Sequence, residues 1–137
     1  MQVSKDLRNC LVIDAPKVSL ETIITNDVVA VISDTEFIWK GRLDNVINSG
    51  GVKLHPEEIE HKLFSSIASR FFVAGLEDQF LGERLILVIE AEAYQLDDEV
   101  FSELLRFEIP KEVYFLPKFI ETETGKIKRL QTLTLVS

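Results

Sequence analysis

Lys126 is the residue whose type and setting best suit chemistry. It follows a glycine in the run Thr122-Glu123-Thr124-Gly125-Lys126-Ile127, between an apolar segment and a basic tail. A glycine at such a place permits a tight turn, and a lysine beside it presents a compact charge with three donors. That charge can stabilise negative charge developing on a phosphate or carboxylate oxygen. Taken alone, a solvated lysine on a glycine turn is the commoner situation. Upstream stand Gly41-Arg42-Leu43-Asp44 and Gly50-Gly51. The first reads by itself as a turn with a surface ion pair, and functionally as a hinge leading into a polar strand. Asp27, after Thr25-Asn26, reads by itself as a turn aspartate. A carboxylate there could instead accept two ribose hydroxyls, as acidic residues do in other nucleotide sites.

Other chemistries find little support. The only histidines, His55 and His61, would lie on different faces of a helix, and neither has a cysteine at ligand spacing. No metal ligands are assigned. There is no Gly-x-Ser-x-Gly elbow, and Cys10 sits in an apolar run, which reads as a small buried thiol. A phosphate-binding loop built on Gly125-Lys126 needs a glycine where Ile120 stands and a Ser or Thr where Ile127 stands.

These residues must be positioned by short elements. Cys10-Leu11-Val12-Ile13, Ile23-Ile24, Val28 to Ile32 and Phe37-Ile38-Trp39 read as strands of a β-layer, with a turn signal at Asp14-Ala15-Pro16. Residues 45–54 read as a strand or hairpin broken at Gly50-Gly51. A helix starts near His55, with Pro56 at its first position and Glu57, Glu58 and Glu60 near its positive end. Its apolar stripe is Ile59, Leu63, Phe64 and Ile67. Arg70 to Leu76 and Leu85 to Ala91 read as strands. Asp97 caps a second helix with inner face Val100, Phe101, Leu104 and Leu105. Val113 to Leu116 form a last strand, ended by Pro117, before a polar loop over 118–126 and a short amphipathic tail helix. The fold class is therefore α+β: a small three-stranded sheet with helices on one face, preceded by a short β-rich segment.

Composition bounds the rest. The 137 residues suit one domain, or one with a small piece. Apolar runs are far too short to span a bilayer, so no membrane association is expected. A single cysteine excludes an internal disulfide and points to a reducing cytoplasm. A net charge of -8 argues against nucleic-acid binding through phosphate neutralisation. The charge is uneven, however: Lys126 to Ser137 carries three basic residues and no acidic one.

Jointly the motifs say more than singly. Thr25-Asn26-Asp27, Gly41-Arg42-Leu43-Asp44, Ile47-Asn48-Ser49-Gly50-Gly51, Pro56-Glu57-Glu58-Ile59-Glu60, Gly82-Glu83, Pro110-Lys111 and Thr122 to Ile127 follow in this order. That order resembles the C-terminal third of the AMP-forming acyl-CoA synthetase family, from about Leu11 to Arg129. Asn26 stands where that family usually has glycine, and Glu121 where it usually has lysine. Asn45 and Asn48 vary within the hinge motif.

The resemblance implies a reaction. Members join a carboxylic acid to ATP, accompanied by Mg²⁺, and pass the acyl group to coenzyme A. Their C-terminal domain is a lid that turns about a hinge between the two half-reactions. By matching position, Asp27 would bind ribose and Arg42 would contact the nucleotide. Asp44 would be the hinge, Gly50 and Gly51 would line the pantetheine tunnel, and Lys126 would be the adenylation lysine. The resemblance divides the chain into residues 1–43, the β-rich end of the N-terminal adenylation domain, and 44–137, the lid. Partners would be the rest of that N-terminal domain, which would hold most of the ATP and coenzyme A contacts, and a small carboxylic acid. Within the family, Thr25 to Glu60 with Phe37-Ile38-Trp39-Lys40 looks most like bacterial 2-succinylbenzoate–CoA ligases of menaquinone biosynthesis. Two alternatives stand beside this: a free-standing non-catalytic interaction module derived from such a lid, or the lid of a carrier-protein-loading adenylation domain.

Overall fold

The computed structural model describes residues 1–15 and 21–136. The chain forms two compact units, Met1–Val46 and Ile47–Ser137.

The first unit is an antiparallel meander. Its strands are β1 (Gln2–Lys5), β2 (Cys10–Asp14), β3 (Ile23–Val31) and β4 (Phe37–Arg42), neighbours in that order. A 3-10 turn, Leu43–Asn45, follows. Val3, Leu11 and Val29 form its small buried core, flanked by Ile13 and Val31. The turn between β1 and β2 is closed by Asp6, whose Oδ1 accepts Arg8 N at 2.8 Å and Cys10 N at 3.0 Å. The expected turn at Asp14-Ala15-Pro16 runs into residues 16–20, outside the described residues. The two short strands expected over Ile23-Ile24 and Val28 to Ile32 are one strand. Register shifts at Cys10/Val12 and Val28/Val29 carry it through the polar Thr25-Asn26-Asp27 stretch.

The second unit begins with a hairpin, β5 (Ile47–Ser49) and β6 (Val52–Leu54), followed by α1 (Pro56–Leu63). Strands β7 (Phe71–Asp78) and β8 (Gly82–Glu90) pair antiparallel, and β9 (Glu112–Leu116) runs parallel to β8. A short helix, α2 (Arg129–Leu133), follows. The hairpin joins β8 through Ser49 opposite Gly82, so the sheet has five strands, not the three expected. The expected three are its centre; the hairpin adds two that the broken apolar pattern of residues 45–54 hides.

The helices also lie on both faces, not one. Strand alternation sends Val73, Leu85, Leu87 and Ile89 to one face, where Ile59, Leu63 and Ile67 cover them. Phe72, Ile86 and Val88 point the other way, under Phe119, Ile127 and Leu133. The tail helix is thus a second cover, and β8 is buried on both sides, which explains its nearly unbroken apolar run.

Two further expectations are corrected. Phe64 is the C-cap of α1, turned about 100° round the helix axis from the buried Leu63, and is 77% exposed. The second helix is two 3-10 turns, Asp98–Phe101 and Arg106–Glu108, and Leu105 is outside the core. So short an acidic segment is a poor helix on its own, and a tertiary contact decides its path. The buried Glu108 carboxylate accepts Lys62 Nζ at 2.7 Å and Leu105 N at 2.9 Å, which holds Leu105 extended.

Candidate functional site

In the first unit, Asp27 on β3 faces Arg42 on β4. Asp27 Oδ1 accepts Arg42 Nη1 at 2.9 Å and Trp39 Nε1 at 3.2 Å. Thr25 Oγ1 accepts Asp27 N at 3.2 Å and donates to Leu11 O at 2.8 Å, fixing the backbone beneath the carboxylate. The Arg42 guanidinium, against some burial and aided by Trp39, holds the Asp27 carboxyl below the usual aspartate value. It is an ionised acceptor at neutral pH, of the kind that could take hydroxyl donors. Arg8, unremarked in the sequence, braces this segment: Nη1 donates to Asn26 Oδ1 at 2.9 Å and Nη2 to Thr25 O at 3.0 Å. Asn26, standing at a glycine position of the family pattern, thereby gains a structural partner. Asp44 lies exposed in the 3-10 turn Leu43–Asn45, shortly before the boundary between the units.

In the second unit, Gly50 and Gly51 form the turn between β5 and β6, with φ of 58° and 84°. The turn needs glycine for its backbone, and the space around Gly51 is open. Gly50 N donates to Leu81 O at 2.8 Å, tying this turn to the one before β8. Glu83 Oε1 accepts Asn48 N at 3.0 Å and stitches the hairpin down a second time.

Lys126 sits on a small β-turn closed by a bridge between Glu121 and Ile127. Within it Thr122 N donates to Lys126 O at 2.8 Å, Gly125 N to Thr122 O at 3.0 Å, and Lys126 N to Thr122 Oγ1 at 3.1 Å. Gly125 takes φ of 86°. The backbone of the loop is therefore defined, while the lysine side chain is exposed. Among the described residues no hydrogen bond or ion pair engages its ammonium. A charge so held can meet an anionic oxygen without first giving up an internal partner.

Arginines flank this loop. Arg70 Nε and Nη2 grip Glu90 at 2.9 and 2.6 Å, Nη2 also reaches Glu121 at 2.8 Å, and Nη1 donates to Gly125 O at 3.1 Å. Arg129 Nη1 and Nη2 grip Glu60 at 2.6 and 2.8 Å. Glu121, which stands where the family pattern usually has lysine, is engaged by Arg70. Thr132, wholly buried, donates to Lys128 O at 2.7 Å and accepts Ile120 N at 3.2 Å, closing the base of the loop. No short-range pattern could reveal Arg70 or Arg129, whose partners lie 20 to 69 positions away.

Cys10 is fully buried, and burial pushes its thiol pKa up, so it is not a nucleophile. Among the described residues no cluster of three or more His, Cys, Asp or Glu side chains is arranged to hold a metal, and no step is assigned to Mg²⁺ on this chain. No helix among them is long and apolar enough to cross a membrane.

No protein-family model matches the chain. Individual proteins do. It is 31% identical over 112 residues to the 2,3-dihydroxybenzoate-AMP ligase of Bacillus subtilis, covering 77% of this chain and 21% of that protein. A crystal structure from Dyadobacter fermentans, described as an acyl-CoA synthetase (AMP-forming)/AMP-acid ligase II-like protein, is 36% identical. It aligns with 99% of this chain and 41% of its own, at a TM-score of 0.66. A variant of Escherichia coli MenE with bound OSB-AMS is 25% identical, over 99% of this chain and 34% of its own, at a TM-score of 0.68. These relatives and structural neighbours are AMP-forming acyl-CoA synthetases and acid–AMP ligases, and the chain is similar to a part of each. It spans about a fifth of the length of the curated relatives it matches.

Proposed function

We propose that this chain is the C-terminal lid of an ATP-dependent, AMP-forming carboxylate–CoA ligase. Its residues 1–43 would complete the N-terminal adenylation domain, and 44–137 would form the moving lid. The observation that carries this reading is the Lys126 loop: a braced backbone turn presenting an uncommitted ammonium. Lid closure would bring that charge to the α-phosphate as adenylation proceeds, where exclusion of water strengthens it. The ionised Asp27 would accept ribose hydroxyls, and Arg42 would both orient Asp27 and contact the nucleotide. Asp44 would be the hinge. Withdrawing the lysine and presenting the Gly50-Gly51 turn would open a path for the pantetheine thiol of coenzyme A, so one rotation changes the chemistry.

The acid we propose is 2-succinylbenzoate, which would place the protein in menaquinone biosynthesis, in the cytoplasm. Supporting it are the resemblance of Thr25 to Glu60 and the likeness to MenE with bound OSB-AMS. The similarity to 2,3-dihydroxybenzoate-AMP ligases favours a second reading, in which the acyl group goes to a carrier-protein thiol.

ATP–pyrophosphate exchange with 2-succinylbenzoate tests the proposal. The chain alone is expected to be inactive and the chain with an N-terminal adenylation domain active. Lys126→Ala is expected to lose about 100- to 1000-fold in rate. Retained exchange in Lys126→Ala would overturn the lid reading. Exchange with other carboxylates but not this one would overturn the acid alone. Thioester formation on a carrier protein rather than coenzyme A would favour the second reading.

A further inference from the structure

We propose that Arg70 is a positioning residue for Lys126, fixing the loop through the carbonyl of the residue before it; this rests on the reading of Lys126 as the adenylation lysine. One guanidinium ties the loop to the sheet at several points. Two of its nitrogens hold Glu90 at the end of β8, at 2.9 and 2.6 Å. Glu90 Oε2 in turn accepts Phe119 N at 2.8 Å, at the entry to the loop. The same guanidinium meets Glu121 on the near side of the loop at 2.8 Å, and Gly125 O on the far side at 3.1 Å. It lies over the Phe119 ring at 5.8 Å from the centroid. Anchor, loop entry and both loop strands thus share one planar fork.

The ties divide between anchor and loop. The bidentate pair with Glu90, 19% exposed, anchors the guanidinium to the sheet, whereas the Glu121 pair, 35% and 34% exposed, adds little to folding and serves to hold the loop in place. A fork of fixed donors does restrict direction, which a lysine point charge cannot. Arg70 and Ile127 also line a cleft of about 770 Å³, so the loop borders open space on this side. Gly125, at φ 86° with no atom within 4 Å of a notional Cβ, has no side-chain packing to hold it. With no packing there, Gly125 is held by its own bond to Thr122 O and by the Arg70 bond to its carbonyl, and only the second ties it to the sheet. Displacing a catalytic group by about 1 Å can cost roughly 100-fold in rate.

The test uses the chain joined to its adenylation domain. Arg70→Lys keeps the charge and can still pair with Glu90, but cannot also span to Gly125; Arg70→Ala removes every tie. Arg70→Lys is expected to lower pyrophosphate exchange about 10- to 100-fold through kcat, with KM for ATP changed less than about twofold. Thioester formation from a preformed acyl-adenylate is expected to stay within about twofold, because that half-reaction does not use Lys126. Amide exchange at Gly125 and Lys126 in the 137-residue chain is expected to quicken in both variants. Equal loss in both half-reactions, or full exchange activity in Arg70→Lys beside an inactive Lys126→Ala, would overturn the positioning role. Exchange that survives Lys126→Ala would instead sink the reading beneath it, and the proposal with it.

Discussion

Arg42 and Asp27 face each other across β3 and β4, and Arg42 Nη1 donates to Asp27 Oδ1 at 2.9 Å. The sequence places Asp44 in the same turn as Arg42, and strand register adds Asp27, 15 positions away, as a partner beside the Arg42 side chain. Both are partly exposed, at 47% and 26%, so the bond adds little to folding. Its larger effect is to fix the direction and charge of the carboxylate.

That effect is measurable as a titration. Arg42 holds the Asp27 pKa below the usual 3.8. A depressed folded pKa stabilises the fold above the unfolded value. The stabilisation is lost as pH falls from about 3.8 through the lower folded pKa. In Arg42→Ala the Asp27 carboxyl resonance should titrate at a higher pH than in the parent, and that share of acid stability should disappear. An unchanged midpoint would mean Trp39 and the Thr25 turn set the carboxylate's charge without Arg42.

Leu63 and Phe64 are adjacent apolar residues with opposite fates. Leu63 is fully buried against the sheet, and Phe64 is 77% exposed. Leu63→Ala should therefore cost about 2–5 kcal/mol in urea unfolding. Phe64→Ala should stay within about 0.5 kcal/mol. Similar losses for both would mean that Phe64 is covered in solution.

Their contrast marks what a sequence can reveal. Helical spacing locates α1, and short apolar runs locate β7, β8 and β9, of which β8 is apolar throughout because it is buried on both faces. Spacing cannot show that the helix ends at Leu63 and leaves Phe64 uncovered, since that depends on what the fold brings over the C-cap. Nor does it reveal β1, where only Val3 faces the core. The residues proposed for function sit in turns whose glycines and polar residues are visible locally. What orients them is not: Arg8, Arg70 and Glu60 act on partners brought near only by folding.

Gly75 illustrates a packing requirement of the same kind. A Cβ there would lie 2.7 Å from Glu83 Oε2 and 3.0 Å from the side chain of buried Ile47. The Glu83 carboxylate can move, but moving it breaks its bond to Asn48 N. Gly75→Ala should lower stability by about 1–3 kcal/mol and should quicken amide exchange at Asn48. Exchange at Asn48 equal to the parent's would show that Glu83 is not what fastens the hairpin.

Glu60 has two tasks that a mutant cycle can separate. Its carboxylate takes both terminal nitrogens of Arg129, whose guanidinium lies 5.6 Å from the Phe72 ring centroid. Its Oε2 also accepts Val73 N at 3.0 Å. Strand β7 ends the sheet path, so that amide points away from β8 and has only Glu60 to meet. A sheet edge left with an unmet donor costs more than a partly exposed ion pair. Glu60→Ala should therefore cost about 1–3 kcal/mol, whereas Arg129→Ala should cost about 1 kcal/mol or less. The coupling between the two positions should be about 1 kcal/mol, because Glu60 keeps its bond to Val73 when Arg129 is gone. Glu60→Gln retains an acceptor for Val73 N and should fall between these values. If Arg129→Ala proved as damaging as Glu60→Ala, the ion pair rather than the capped edge amide would be the source of the stability.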